Sequence, residues 1–533
     1  MNSKLFVVAG TAVWFLTFLL GYFLLAPSTD DGYYVIAAMG TALTGSPGFW
    51  IGDEFSPSFF LPTVFTYFYG ALLKLTMILG MEFGPLGFRF YHFVIIFLLP
   101  VSAWVALRRL FPRDYGIRLL FLLTFLLVTY FAQSAPTVRP EVTGAVLFLV
   151  FISLRKMQFA RGMVPIFVLA VCGTIHPMFT LLAIGVFGVY VVRRFERVRF
   201  AGRFQWVATF VAFGLPFIVL AIYYAINFAE YKQQILGRTS SLSPNILMTP
   251  IFIWNNLTFW SDAGGIEFGL YRVYPAIAFI FVMILSTVFV YRRRSYLWKN
   301  EMLELIGPML VAQWFVFFML PPFVPYLAFS SFLAGLIIVL LWQEPHRLIL
   351  NSQVKWVLIA ACVSISLLFI TFHSGKFLFF SEERLTPTGL YSVMSPLFED
   401  PETELYTNVG RLVPPLIDHF SEGENIRINF LYLDPDCLPI HLKKRADRVA
   451  QSELPMSDPE TTYWALNKVE VIENSDRIIR FTAKGSRAVI SLVPSTKVYE
   501  DNKNLITKAS SVTVELSRNS KICVDPVPGE SSK

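Results

Sequence analysis

The sequence predicts a polytopic α-helical membrane protein with about eleven transmembrane helices and a β-rich domain at the C-terminus. Of its 533 residues, 55% are hydrophobic and only 15% are charged. Many apolar runs are long enough to cross a bilayer, and short basic clusters separate them, as is typical of cytoplasmic loops. This pattern excludes a soluble protein. It also explains the net charge of +7 without nucleic acid as a partner.

The basic clusters orient the first spans. Lys4 places the N-terminus in the cytoplasm, so the first span, at about 5–26, runs outward. A span at about 88–107 runs inward to the basic loop that begins at Arg108. The loop at about 27–87 between them is therefore exoplasmic.

That loop contains an apolar stretch, at about 59–79, which cannot be a further crossing without reversing the orientation of the next span. Its tyrosines and Lys74 are typical of a helix that lies on the outer membrane interface. We therefore expect an interfacial helix there.

The later spans follow by the same rule, at about 117–133, 142–154, 204–226, 273–290, 301–320, 326–342 and 354–372. The stretch at about 163–192 is different, because basic clusters flank both of its ends. It is too short for two straight crossings of a ~30 Å core. We expect two short helices that meet at His176-Pro177, where protein or a cavity surrounds the break.

From about residue 374 the composition becomes polar, and alternating runs near 477–481, 488–492 and 511–516 predict antiparallel strands. The chain is thus expected to consist of a membrane domain, 1–373, and an exoplasmic β-rich domain, 374–533. Cys437 and Cys523 lie in the second domain and are candidates for a disulfide in an oxidising compartment.

The acidic motif Thr29-Asp30-Asp31-Gly32-Tyr33-Tyr34 directly follows the first apolar run. Carboxylates at a membrane exit are costly and tend to mark a functional site. The alternative is that both aspartates cap a helix that begins near Gly32.

Other polar groups of unlike chemistry are predicted on the same exoplasmic side. They are Asp53, Glu54, Arg139, Glu141, His176, Lys232 and Arg238. Three of these positions also have plain structural interpretations. Arg139 could extend to lipid headgroups, His176 could be a structural histidine, and the Asp53-Glu54 pair could be a solvated turn.

This set of residues suits the transfer of a sugar from a lipid phosphate. A carboxylate would deprotonate the acceptor hydroxyl as it attacks the anomeric carbon, and Arg and His would stabilise the departing phosphate. Arginine is favoured because its planar fork binds two phosphate oxygens at once. A divalent cation held by the carboxylates is an alternative, although an Asp-Asp pair alone is a weak metal signal.

Three stretches resemble a known superfamily. The Asp30-Asp31-Gly32-Tyr33 motif, the interfacial helix and a span that opens with Arg89 are similar to the GT-C glycosyltransferases. Val138-Arg139-Pro140-Glu141, followed by the break at His176-Pro177, resembles the actinobacterial cell-wall arabinosyltransferases that are the ethambutol targets. The resemblance implies that Asp30 or Asp31 is the catalytic base and that Arg139 binds the donor phosphate. His176 is expected to assist Arg139.

The sequence therefore predicts an inverting GT-C glycosyltransferase in a bacterial cytoplasmic membrane. The donor is expected to be a polyprenyl-phosphate sugar, arabinofuranose in the resembled family, and the acceptor a cell-envelope glycan or glycolipid on the exoplasmic face. Asp30 is the favoured base, with Asp31 to orient it or to hold a cation. The alternatives are a transporter or flippase of a lipid-linked saccharide precursor, and an inactive membrane scaffold.

Overall fold

The structure is a computed structural model. It describes residues 29–51, 54–57, 61–80, 84–112, 138–155, 163–197, 203–228 and 302–319. It also describes parts of 12–24, 118–122, 231–232, 283–298, 329–335 and 387–391, and the strand residues 404–406, 487–489, 497–500, 503–506 and 522–525.

The chain divides into two compact units. We call the first the bundle unit; it consists of Met1–Phe18, Val94–Ala135 and Pro140–His373. We call the second the loop unit; it consists of Leu19–Phe93, Pro136–Arg139 and Ser374–Lys533. The predicted domain boundary near residue 373 stays a prediction, because the loop unit also contains residues of the predicted membrane domain. The role of the C-terminal part as a separate exoplasmic domain stays a prediction.

The loop unit is built on two packed helices and a hairpin. Its elements are α1 (Thr29–Thr44), β1 (Gly48–Ile51), β2 (Glu54–Pro57), α2 (Thr63–Ile78) and the first residues of α3 (Gly87–Leu110). The strands β1 and β2 are antiparallel, and Ile51 pairs with Glu54. The two residues between them, where a turn is predicted, lie outside the described residues.

Helices α1 and α2 approach each other closely at Gly70. A Cβ atom at this position would overlap the Thr41 side chain and would lie 2.5 Å from the carbonyl oxygen of Ala38. Only glycine allows this backbone distance. Nearer the N-termini of the same two helices, Tyr34 packs edge-on against Phe65, with the ring centroids 5.2 Å apart. These two contacts fix the position of α1 on α2.

Helix α2 has two distinct faces. Phe65, Tyr69 and Gly70 are buried on the side that packs on α1. Phe68, Leu75 and Ile78 are exposed on the opposite side, and Ile78 is 72% exposed. An exposed apolar face is what the predicted interfacial helix requires. The helix itself is confirmed within the predicted range, and its membrane position stays a prediction.

The bundle unit consists of apolar helices that follow one another along the chain. After the remainder of α3 they are α4 (Pro140–Leu154), α5 (Met163–Ile175), α6 (Pro177–Arg197), α7 (Arg203–Ile226) and α8 (Leu303–Met319). Almost every residue of α4 is buried. Helix α4 is thus the centre of the described part of this unit.

The break between α5 and α6 falls at His176, as the sequence predicts. Pro177 is the first residue of α6, where proline is favoured because the first helical N–H has no intrahelical acceptor. The Thr180 hydroxyl donates a hydrogen bond to the carbonyl oxygen of Gly173, 2.6 Å away, and so connects the two helices across the break.

Two helices among the described residues are long and apolar enough to cross a membrane, at Gly84–Leu110 and Trp206–Ile226. They agree with the predicted spans at about 88–107 and 204–226. The apolar window of the second is only 6% buried within the protein, so its side chains face outward. The number of spans and the orientation of the chain stay predictions, because several predicted spans lie outside the described residues.

Among the described residues of the C-terminal part there are five short strands: β3 (Glu404–Tyr406), β4 (Arg487–Val489), β5 (Lys497–Glu500), β6 (Lys503–Ile506) and β7 (Ile522–Asp525). Strand β5 is the centre of a three-stranded antiparallel sheet with β6 and β7, whereas β3 and β4 are parallel. Strand β4 overlaps the predicted strand at 488–492. The other two predicted strands lie outside the described residues, and the β-rich domain stays a prediction.

Candidate active site

The carboxylate of Asp31 is completely buried in the loop unit. Helix α1 begins at Thr29, three residues before the start that the sequence predicts, so both aspartates lie in its first turn rather than ahead of it. A negative charge in the first turn is favourable because the free N–H groups there point toward it. Asp31 Oδ1 accepts a hydrogen bond from the backbone N–H of Val138, 2.5 Å away.

Val138 and Arg139 form the last part of the loop unit before α4 begins at Pro140. The Val138 side chain is fully buried and Arg139 is 7% exposed. The acidic motif and the Arg139 segment, 107 residues apart at the hydrogen bond, are therefore neighbours in one compact unit.

Arg89 is fully buried in the same unit. Its Nη1 donates hydrogen bonds to the carbonyl oxygens of Tyr22 and Gly21, at 2.6 and 3.4 Å. A guanidinium group is a good donor to backbone carbonyl oxygens, because it carries five N–H groups in a fixed plane. Arg89 thus connects the helical residues 21–24 to the start of α3.

Tyr69 on α2 is within electrostatic reach of both Asp31 and Arg89. Its hydroxyl donates a hydrogen bond to the carbonyl oxygen of Phe88, and its ring stacks on Tyr91 with the centroids 5.0 Å apart. Burial raises the pKa of Tyr69 well above its ordinary value, and the negative charge of Asp31 raises it further. Tyr69 is therefore a neutral hydrogen-bond donor at physiological pH.

A second polar cluster lies in the bundle unit. Glu141, in the first turn of α4, is fully buried. Its Oε1 lies 3.9 Å from Nε2 of His176. The other ring nitrogen of His176, Nδ1, accepts a hydrogen bond from the backbone N–H of Met178 at 3.3 Å. The imidazole therefore caps α6, a more specific role than the structural histidine considered from the sequence.

A third cluster, at the other end of α4, was not predicted. Glu304 in the first turn of α8 accepts a hydrogen bond from Arg155 at 2.9 Å and lies 3.5 Å from Arg193 Nη1. All three side chains are buried or nearly so. In the sequence these two arginines belong to the basic clusters that flank the stretch 163–192, which are typical of cytoplasmic loops. Their partner, Glu304, lies near the start of the predicted span 301–320. That end of the span is predicted on the cytoplasmic side, as the two arginines are, and this shared side was the signal for the pairing.

The remaining predicted site residues are only partly described. Asp30 belongs to α1 and Glu54 to β2, but their side chains lie outside the described part, as do Asp53 and Arg238 entirely. Lys232 lies exposed in a short helical stretch beyond α7. Cys437 is likewise outside the description, and of Cys523 only the strand backbone is described. The predicted roles of all these residues, and the disulfide, stay predictions.

Within the described residues, no three His, Cys, Asp or Glu side chains come together as a metal site. The described carboxylate of the acidic motif, Asp31, accepts a hydrogen bond from a backbone N–H. The divalent cation considered for the Asp30-Asp31 pair stays a prediction.

Comparison with protein families found no matching family model, and no curated protein matches the chain. The chain is similar to solved structures of an oligosaccharyltransferase from Archaeoglobus fulgidus. The apo form has 13% identity and a TM-score of 0.42, with 84% of this chain and 68% of that chain covered.

Two further structures of this archaeal enzyme are similar. AglB in complex with an inhibitory peptide and a dolichol-phosphate has 12% identity and a TM-score of 0.46, with 83% and 68% of the two chains covered. The form tethered to an acceptor peptide that contains the NVT sequon has 10% identity and a TM-score of 0.42, with 96% and 75% covered. At these values the likeness assigns neither a family nor an activity.

Proposed function

We propose that this protein is a membrane glycosyltransferase of the GT-C type, which transfers a sugar from a polyprenyl-phosphate donor to an exoplasmic glycan or glycolipid. The observation that carries the proposal is the hydrogen bond from Val138 N–H to the buried Asp31 carboxylate. It joins the acidic motif to the segment that contains Arg139, the two stretches on which the sequence-based hypothesis depends.

In the proposed reaction, the acceptor hydroxyl oxygen attacks the anomeric carbon of the donor. The bond from that carbon to the phosphate oxygen breaks, and the proton of the hydroxyl moves to a carboxylate of the acidic motif, Asp30 by preference. The products are the glycosylated acceptor and free polyprenyl phosphate. A single displacement of this kind inverts the configuration at the anomeric carbon.

Arg139 is proposed to bind the donor phosphate. A guanidinium group can donate two parallel hydrogen bonds to a phosphate, and burial strengthens such a charge-assisted contact. Arg139 is 7% exposed, so its charge is largely shielded from bulk water. Arg139→Ala is expected to raise the KM for the donor more than that for the acceptor, and Arg139→Lys to restore it only in part.

The test is a screen of radiolabelled polyprenyl-phosphate sugars, arabinofuranose among them, with the purified protein in nanodiscs. We expect one donor to yield free polyprenyl phosphate, and Asp30→Asn to abolish its release at unchanged expression. A protein that moves the intact donor between leaflets of proteoliposomes without cleaving it would instead be the transporter or flippase considered above.

A further inference from the structure

The acidic motif contains two adjacent aspartates, and in the structure one of them, Asp31, makes a specific contact with another segment of the chain. The Asp31 carboxylate is fully buried and accepts a hydrogen bond from the backbone N–H of Val138. Val138 precedes the helical part of α4, so its N–H group has no acceptor in that helix. A buried N–H without an acceptor is costly, and Asp31 supplies the acceptor from a different helix.

Helix α1 is a rigid support for this carboxylate. The close approach at Gly70 leaves no space for α1 to move toward α2, and Tyr34 and Phe65 pack beside it. The residues of α1 that follow Asp31 are almost all buried. The position of the carboxylate is thus determined by the core of the loop unit.

We infer that Asp31 is a positioning residue that holds the Val138–Arg139 segment in place, and that Asp30 alone accepts the proton. This inference rests on the proposed function and deepens it. The hydrogen bond fixes the backbone one residue before the proposed phosphate ligand. Because the Asp31 carboxylate is used to hold this backbone, the proton transfer is left to the other aspartate of the motif, Asp30.

Two substitutions remove the same negative charge at position 31 but are expected to have different effects. Asp31→Asn keeps a carbonyl oxygen that can accept the Val138 N–H, whereas Asp31→Ala removes the acceptor. We expect Asp31→Asn to lower the turnover number far less than Asp30→Asn does. We expect Asp31→Ala to raise the donor KM by about tenfold or more, the effect of losing one charge-assisted hydrogen bond. Asp30→Asn is the comparison, with turnover abolished.

A second measurement does not depend on transferase activity. Hydrogen–deuterium exchange of the full-length protein in nanodiscs reports the protection of the Val138 amide. We expect protection to persist in Asp31→Asn and to be lost in Asp31→Ala. Val138→Pro removes the same hydrogen bond from the donor side and should reproduce the higher donor KM, while Val138→Ala, the matched control, keeps the N–H and its protection.

Two results would overturn the inference. One is unchanged protection of the Val138 amide in Asp31→Ala, which would show that the carboxylate does not hold this segment. The other is an Asp31→Asn protein that retains the protection but has lost all turnover, which would make Asp31 the chemically active group. If no donor is turned over by the wild-type protein, the proposed function fails, but the exchange experiment still decides whether Asp31 holds the segment.

Discussion

Nδ1 of His176 accepts a hydrogen bond from the backbone N–H of Met178, the second residue of helix α6. An acceptor nitrogen carries no proton, so in this arrangement the proton of the neutral imidazole is on Nε2. That nitrogen lies 3.9 Å from Glu141 Oε1. If Nδ1 carried a proton, the Nδ1–H group and the Met178 N–H group would face each other as two donors with no acceptor between them.

His176→Asn and His176→Ala should separate capping from any other role of this residue. Asparagine is a good N-cap, so His176→Asn should retain the thermal stability of the protein, whereas His176→Ala should lose about 1 kcal/mol. Thermal unfolding measures this difference. If His176 also binds the donor phosphate, both variants will show a raised donor KM. Full activity of His176→Asn would limit the residue to the cap.

Gly144→Ala should disturb the contact between α4 and α6 that lies one turn from the Glu141–His176 pair. A Cβ atom there would lie 2.5 Å from the ring of Phe179, which is fully buried. Overpacking of this kind costs about 1–3 kcal/mol. Gly188→Ala on α6 is the matched control, because nothing lies within 4 Å of its Cβ position. A loss of thermal stability in Gly188→Ala equal to that in Gly144→Ala would contradict the packing argument.

Glu304→Ala should be strongly destabilising. It would leave Arg155 and Arg193 beside each other in a buried site without their shared carboxylate. Removing one partner of a buried ion pair costs about 3–5 kcal/mol. Thermal unfolding in detergent is the measurement, and Arg108→Gln, at an exposed position of α3, is the control. A change below about 0.5 kcal/mol in Glu304→Ala would show that the cluster does not support the bundle.

Tyr69→Phe should change how stability depends on alkaline pH. Because the pKa of Tyr69 is raised in the folded protein, the unfolded chain loses this proton near pH 10 while the folded protein keeps it. The free energy of unfolding of the wild type therefore falls above about pH 10.

At neutral pH the wild type should be more stable than Tyr69→Phe by about 1 kcal/mol, owing to the hydrogen bond to Phe88. The difference should shrink between pH 9 and pH 11 in thermal melts. A constant difference across this range would show that the pKa of Tyr69 is not raised.

Local sequence signals were sufficient for several helices. A proline after a polar residue, with basic clusters on both flanks, was enough to predict the break at His176. Apolar runs bounded by charges gave α3 and α7 within a few residues. These features depend on neighbours in the sequence and on the length needed to cross a bilayer, so periodicity and charge are adequate guides to them.

The polar contacts were much harder to predict. The hydrogen bond from Val138 to Asp31 joins residues 107 positions apart, and Arg155 and Glu304 are 149 apart. Such pairs depend on how helices pack, which hydropathy alone does not specify. The early start of α1 was missed for a local reason, because acidic residues favour both the cap and the first turn of a helix.

Helix α4 has 15 residues, so at 1.5 Å per residue it is about 22 Å long, less than the ~30 Å thickness of a typical hydrocarbon core. Glu141 lies at its first turn and Arg155 directly after its last. If α4 stands across a bilayer, both polar clusters lie at the depth of the acyl chains, and the surrounding helices keep lipid away from them. The hydrophobic thickness of the host membrane then becomes a variable that sets the environment of the ionisable groups of this protein.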